Sequence, residues 1–522
     1  MGPVPLRRTH AAALIALVLA ACSGTPSAEP TTPPLPPRLP VPALPAPGAE
    51  LPIKRVTIAW TAEVRGEIEV CGCPTVPYGG FERRERYLDR LREQGDPVIV
   101  LDAGEMLKKG ARLARAADEV LRASTVLKLA AQVGLDAWAP SPTDLQLKGL
   151  TKGWDTAVAA NVEGMNAGTV IERGGARIGV IGVSGGAAGH PLDSDAVAQQ
   201  VAESIRRLTP PQGLDGLVVI SNADTPVNTA IAQLPSVGMV LTTRGGDLDP
   251  PLRTEGAPII EAPDRGRFVS VVRWVIGTTA GPAGLVEDGP DDRSWQAWDD
   301  ALERLPLQTG AARDAEGARI ASSWQTLSPE ASGRNLILVR DRPLGTDLDI
   351  PTSHDETPPT LKAFQKASVD VAAGHTNEPA TRHYMGTGAC ISCHNAPWFA
   401  AWAYTPHAGA WKALVNRQAT QNPECVGCHS TAWGEPGGNA STDPTAMFTW
   451  KAVQCESCHG PLSEHVANPS QNHTRPVTQA TCLACHDPAN SPQFNYTTYL
   501  QRVSCVSQKA AMASTPAPPT TP

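Results

Sequence analysis

Apolar residues are distributed along this chain in three different ways. First comes an unbroken run, Ala11 to Ala21, preceded by Arg7-Arg8. Its length suits the core of a signal peptide and is too short for a membrane span. From Lys54 onward, short β-branched runs recur: Val56–Trp60, Val98–Leu101, Ile178–Val183, Leu217–Ile220 and Met239–Leu241. Between them lie helical patterns, such as Phe81 to Arg92 with Tyr87, Leu88 and Leu91 on one face. Strands alternating with helices predict an α/β domain with buried strands, and Pro258–Ile260 and Phe268–Val272 read as closing strands. In the third regime, from about residue 286, Trp295, Trp298, Leu302 and Leu305 recur at helical spacing. A short strand-like run, Leu336–Val339, and a helix candidate, Leu361 to Ala373, follow.

These regimes predict six segments: a signal peptide (1–21), a tether (22–52), the α/β domain (53–285), a connector with helices (286–380), a C-terminal domain (381–500) and a disordered tail (501–522). Residues Thr25 to Pro52 are Pro, Ala, Ser and Thr with almost no aromatic residue, the composition of a semi-extended spacer. The tail is rich in Ala, Pro and Thr.

Composition narrows the function. The chain has 522 residues, 41% hydrophobic and 18% charged, with a formal net charge of -8. No Lys/Arg-rich block is present, so nothing points to a nucleic-acid partner. Twelve cysteines divide into eight in one repeated pattern and four others, Cys22, Cys71, Cys73 and Cys505.

The repeated pattern is Cys-x-x-Cys-His. It occurs as Cys390, Cys393 and His394, then as Cys425, Cys428 and His429. The third copy is Cys455, Cys458 and His459, and the fourth is Cys482, Cys485 and His486. Two thiols at this spacing add to the two vinyl groups of one porphyrin, and the adjacent histidine supplies an iron ligand. One copy alone also suits a zinc half-site or a redox pair. Four copies predict four covalently attached c-type haems, with proximal ligands His394, His429, His459 and His486. Such attachment is carried out outside the bacterial cytoplasm, so export is expected.

Leu19–Cys22 resembles the bacterial lipobox, which implies cleavage before Cys22, lipidation of its sulfur and a membrane anchor. The alternative is an ordinary signal peptide. The expected location is the periplasmic side of the inner or outer membrane, or the cell surface.

Ala62–Gly66, Cys71-Gly-Cys73, Gly79–Arg84 and Leu101–Glu105 resemble the strand-end motifs of calcineurin-like metallophosphoesterases of the 5'-nucleotidase type. The resemblance covers roughly residues 53 to 280 and implies an α/β four-layer sandwich. It also implies two metal ions, but the ligand positions are altered. Glu63 and Glu105 stand at two Asp positions and Arg65 at a His. Pro142-Thr143 replaces an Asn-His pair, Asn222 a His, and Thr243–Gly246 the final Gly-His-x-His. The expectation is a phosphoesterase fold without its dinuclear site. Cys71 and Cys73 read as a structural loop feature, and Cys505 has no assigned role.

From Tyr384 to about Tyr499 the sequence resembles the tetrahaem "five-five-four" cytochromes c of nitrifying bacteria. The matching residues include Gly386, Trp402, His407-Ala408, Gly437-Gly438, Val453–Pro461 and His465. The resemblance implies a mainly α, irregular multihaem cytochrome c domain with His407 and His465 as distal ligands. It further implies one haem with an open coordination site and a distal histidine beyond the last motif. No histidine follows His486 here, leaving either a second open haem or a ligand from His375, His383 or His473. The leading expectation is a membrane-anchored electron-transfer protein acting between redox partner proteins. The alternatives are a haem oxidoreductase acting on a small nitrogen or sulfur species, and a weakly active phosphoesterase.

Overall fold

The computed structural model describes residues 53–70, 78–108, 116–187, 189–243, 254–263, 265–277, 280–286, 293–331, 334–348, 359–394, 398–417, 419–443, 445–471, 474–486, 491 and 493–504. The expected signal peptide and tether, Cys22, Cys71, Cys73, Arg244, Gly246, His473, Cys505 and the tail beyond 504 lie outside the described residues.

In chain order the N-terminal body comprises β1 (Lys54–Thr61), α1 (Phe81–Arg92), β2 (Val98–Asp102), α2 (Ala116–Gln132), β3 (Ala137–Trp138) and α3 (Pro142–Leu145). Next come β4 (Gly168–Arg173), β5 (Ala176–Val183), α4 (Ser194–Leu208), β6 (Gly216–Ser221), α5 (Thr225–Ala232), β7 (Met239–Thr243) and β8 (Ile259–Ala262). It closes with β9 (Phe268–Ile276), β10 (Gly284–Leu285), α6 (Arg293–Arg304), α7 (Gly310–Ala331), β11 (Asn335–Pro343) and α8 (Pro359–Thr376). The strands form two sheets, a six-stranded one ordered β10-β11-β9-β1-β2-β3 and a five-stranded one ordered β4-β5-β6-β7-β8.

Both sheets are covered on both faces, which is why their strands read as continuous apolar runs and not as alternation. In β2, Ile99 and Leu101 face the second sheet, with Val180, Ile220 and Leu241 in the same cluster. Val98 and Val100 face outward to Leu88 and Leu91 of α1 and Val126 of α2. On the far side, Leu217 and Val219 of β6 meet Val197 and Val201 of α4 and Ile231 of α5. The layers therefore run helix, sheet, sheet, helix, the four-layer sandwich expected from the sequence.

One large side chain locks the two sheets together. Trp274 of β9 is fully buried and rests on Gly216 and Gly238 of the facing sheet. A Cβ at Gly238 would lie 2.8 Å from the indole, and one at Gly216 would overlap it. Only glycine admits the ring at these two places.

The stretch read as a connector is built onto the same sheet. β11 runs antiparallel to β9 from Asn335↔Ile276 to Pro343↔Phe268. The Trp295, Trp298 and Leu302 stripe of α6 packs with Trp324 of α7 against Val275, Leu336 and Leu338. Beneath it, the buried guanidinium of Arg273 donates to Asp299 Oδ1 (2.9 Å), Glu303 Oε1 (2.7 Å) and Thr57 Oγ1 (2.9 Å). Tyr87 Oη and Gln94 Nε2 also reach Glu303, each at 3.3 Å. Among the described residues, no helix is long and apolar enough to cross a membrane.

Candidate functional site

The ends of β1, β2, β3 and β6 converge on the positions where the metallophosphoesterase resemblance places metal ligands. Glu63, Arg65 and Glu105 all adopt left-handed backbone, with φ of 51°, 48° and 53°. Such a conformation costs a non-glycine residue roughly 1–2 kcal/mol. Backbone bonds hold it in place: Glu63 N donates to Gly104 O and Arg65 N to Glu105 O, both at 2.8 Å. The side chains then close on one another. Arg65 lies 2.7 Å from Glu63 Oε2 and 3.3 Å from Glu105 Oε2, so a guanidinium stands between the two carboxylates.

The other positions are equally committed. Asn222 donates from Nδ2 to Ala103 O (3.0 Å) and Ala139 O (2.9 Å), and its Oδ1 accepts Gly185 N (2.7 Å). Pro142 and Thr143 lie in α3, a single turn closed by a Ser141/Asp144 capping box. Asp102 is fully buried, and burial pushes its carboxyl up to about 7 against hydrogen bonds from Thr61 Oγ1 (2.6 Å) and Gly104 N (2.8 Å). Among the described residues, no group of three His, Cys, Asp or Glu is arranged to hold a metal ion.

The C-terminal region is a series of short helices: α9 (Thr387–Cys390), α10 (Trp398–Ala403), α11 (Ala410–Asn416), α12 (Pro423–His429), α13 (Cys455–His459), α14 (Ser463–Ala467), α15 (Gln479–Cys482) and α16 (Tyr496–Val503). In α12 and α13 the whole motif is helical. This puts Cys425 with Cys428, and Cys455 with Cys458, on one helix face with the histidine beside them. In the first and fourth motifs the helix ends at the leading cysteine, and a hydrogen-bonded turn carries the rest. There Cys393 N donates to Cys390 O (3.2 Å) and Cys485 N to Cys482 O (3.1 Å). The turn keeps the two thiols on the same side, so all four motifs present their cysteines as a pair.

None of the eight motif cysteines forms a disulfide, so each keeps the thiol that a thioether bond needs. Cys393 is exposed, whereas Cys390, Cys425, Cys428, Cys455, Cys458, Cys482 and Cys485 are half-buried.

Two pairs of histidines face each other across the fold. The rings of His394 and His465 have centroids 6.1 Å apart, and so do those of His407 and His486. With a metal–nitrogen bond of about 2 Å and roughly 1.1 Å from nitrogen to ring centre, two imidazoles on one iron put their centroids about 6 Å apart. Each pair joins an expected proximal ligand to an expected distal one, so the residues fit an axially ligated haem iron.

Three of the candidate ligands have Nδ1 held by a hydrogen bond. A metal-bound histidine is held by a hydrogen bond at its other nitrogen. Nδ1 of His486 lies 2.8 Å from Ser491 Oγ, that of His465 3.1 Å from Gln471 O, and that of His429 2.8 Å from Ala410 O. Phe494 and Tyr499 brace the His486 ring. Burial, with His486 and His429 nearby, lowers His407 to about 4, so its imidazole is neutral and able to ligate at neutral pH.

Among the described residues, no ring stands opposite His429 or His459 in this way. His383 is exposed, with its backbone N bonded to Ser463 Oγ. His375 lies between Glu378 (2.9 Å) and Asp118 (3.6 Å).

Residues 389–460 match the family described as cytochrome c554 and c-prime. Cytochrome c-554 of Nitrosomonas europaea is 38% identical over 93 residues, spanning 15% of this chain and 38% of that relative's length. Among solved structures, the chain is similar to a Thermus thermophilus sulfate thiohydrolase, SoxB (14% identity, 62% of each chain, TM-score 0.40). It is also similar to the NAD nucleotidase of Haemophilus influenzae (16% identity, 53% of this chain and 61% of that one, TM-score 0.36).

Within the c554-type segment, two residues hold the first and third motifs together. Glu456, inside the third motif, is buried; its Oε2 accepts Met385 N and Gly386 N (both 2.8 Å), and its Oε1 accepts Leu462 N (2.9 Å). Gln454 accepts Thr387 N (2.6 Å) and donates to Thr449 O and Lys451 O. The side chains of Cys390 and Cys455 are neighbours, which sets the first and third motifs side by side. The x-x positions of a Cys-x-x-Cys-His pattern carry no signal of such a role, so neither Glu456 nor Gln454 was expected from the sequence.

Proposed function

We propose that this chain is an extracytoplasmic tetrahaem cytochrome that passes electrons between redox partner proteins. It would be anchored through a lipid on Cys22 and carry an N-terminal body that does not hydrolyse phosphate esters. The reading is carried by the two facing pairs, His394/His465 and His407/His486, each of which would hold one haem iron between two imidazoles. Haem held in that way would supply one-electron chemistry to the chain. Cys390 with Cys393, Cys425 with Cys428, Cys455 with Cys458, and Cys482 with Cys485 each hold one porphyrin by thioether bonds. His429 and His459 are the proximal ligands of the two remaining irons.

A second reading is favoured by the absence of a facing ring at His429 and His459 among the described residues. An iron open on one side binds a small nitrogen or sulfur species, and the chain is then an oxidoreductase. Absorption and electron-spin-resonance spectra of the holoprotein, with haem content per chain, test both. Four haems with low-spin signals only support electron transfer and remove the oxidoreductase. A high-spin fraction that binds nitric oxide supports the oxidoreductase, and fewer than four haems overturns the tetrahaem assignment.

The non-hydrolytic reading of the N-terminal body rests on Arg65, which pairs with both Glu63 and Glu105 at the strand ends. Hydrolysis of a chromogenic phosphate ester with manganese should not exceed that of a Glu63→Ala/Glu105→Ala variant. A clear excess would falsify it.

A further inference from the structure

We propose that the N-terminal α/β body positions the haem of the second motif and sets its electrostatics, and that Arg122 is the residue through which it does so. The inference rests on the reading that Cys425 and Cys428 carry a haem. Helix α12 holds both of those thiols and His429 within seven residues, Pro423–His429. Whatever fixes α12 therefore fixes that haem.

The N-terminal end of α12 sits on the N-terminal body. Asn422 caps the helix, its Oδ1 accepting Glu424 N at 2.9 Å, while its Nδ2 donates to Glu69 Oε2. Glu69 lies just beyond the loop that carries Glu63 and Arg65, and its other oxygen accepts Gln365 Nε2 of α8 at 3.0 Å. One residue into the helix, Glu424 forms an ion pair with Arg122 of α2. Their side chains are only 12% and 16% exposed, so the pair is little screened by solvent.

Arg122 is itself held on several sides. Nη1 donates to Gly66 O at 2.9 Å, and the guanidinium lies 5.5 Å from the Phe364 ring centre. Its stem occupies space that only a glycine at 66 leaves open, since a Cβ there would come within 2.6 Å of Arg122 Cδ. Burial works against the charge, but Glu424, Glu67 and Asp118 outweigh it and raise the pKa, so Arg122 stays protonated. The body thus presents a fixed positive charge to the one carboxylate that directly precedes Cys425.

The sign of the effect follows. Oxidation adds a positive charge at the iron, so an uncompensated carboxylate nearby favours the ferric state and an uncompensated guanidinium the ferrous state. In the full-length holoprotein, Arg122→Gln lowers one of the four midpoint potentials, Glu424→Gln raises that same one, and the double variant returns it toward the starting value. The other three stay in place. Potentiometric titration followed by electron spin resonance reads the shifts. Arg122→Lys keeps the charge and loses the paired geometry, so its potential remains near that of the parent; a merely structural role would move it as Arg122→Gln does.

Shifts in the same direction for Arg122→Gln and Glu424→Gln, a shift of all four haems, or no shift overturn the proposal. If Arg122→Gln does not accumulate, Glu424→Gln and Arg122→Lys still decide it. Haem content of a Cys425→Ala/Cys428→Ala variant separates the two layers of the argument. If that variant keeps every haem, the haem assignment of the second motif fails. If it loses one haem and the charge variants leave the potentials untouched, only the role of Arg122 fails.

Discussion

On the haem ligation proposed above, replacing His407 with alanine is expected to convert one haem from low spin to high spin. An iron held by the fourth motif would then keep only His486, and in the ferrous state it would gain a site for carbon monoxide. The effect is large because alanine offers the iron no donor atom in place of the imidazole. The backbone around His407 should survive, since Val453 N and Ala410 N bond to its carbonyl at 3.2 Å and not to its side chain. His465→Ala should do the same to the first motif's haem. A His407→Met variant should keep six-coordinate iron and raise its potential, as methionine does in other c-type haems. Magnetic circular dichroism and carbon monoxide titration measure all three. An unchanged spin state in His407→Ala would remove His407 as a ligand and leave the 6.1 Å pair as mere packing.

The second large effect is on stability. Arg273→Ala should cost the N-terminal body about 3–5 kcal/mol, the usual penalty for removing one member of a buried ion pair. Asp299 and Glu303 would be left negative beneath the Trp295/Trp298 helix, with Arg340 (2.8 Å from Asp299 Oδ2) as partial compensation. Calorimetry on the full chain should show the thermal midpoint down by about 10 °C. By contrast, Arg340→Ala removes a guanidinium whose side chain is 36% exposed, and should cost a fraction of that. If the two variants lose equal stability, the network is not what ties α6 to the sheet.

The body's strands were legible because burial on both faces leaves a plain mark. Val98–Leu101 and Leu217–Ile220 are runs with no polar interruption, and they are found as β2 and β6. The Trp295/Trp298/Leu302 stripe was legible for the same reason at helical period. By contrast, α7 passed unnoticed: Ile320, Trp324 and Leu327 are spaced among alanines, serines and arginines, which blur its face. β11 was read as a strand, but nothing local said that it would extend the six-stranded sheet, because pairing with β9 is a long-range choice.

At the site, the proximal histidines follow from the motif itself. So do the paired thiols, although the spacing did not say that Cys393 and Cys485 would sit on a turn while Cys428 and Cys458 sit inside a helix. His407 and His465 came from resemblance, since a distal ligand has no fixed spacing from the porphyrin it serves. Arg122 left no trace. A mid-helix arginine is ordinary, and its partner Glu424 is far away along the chain, in the other half of the molecule. The glycine that makes room for it, Gly66, looked like part of a metal motif.

Trp274, seated on Gly216 and Gly238, has a consequence for how this molecule moves. A sheet can slide past its neighbour only if the ridge it crosses is low, and here the ridge is an indole set in two notches. Breathing motions would thereby be resisted where β6 and β7 begin and left to the loops at the opposite strand ends. Those loops carry Gly66 and Glu69, the contacts on which α12 rests. Thermal agitation of the whole body would thus be felt at the second motif as a tilt of one short helix, and its amplitude would be set by how stiffly Gly66 and Arg122 hold each other.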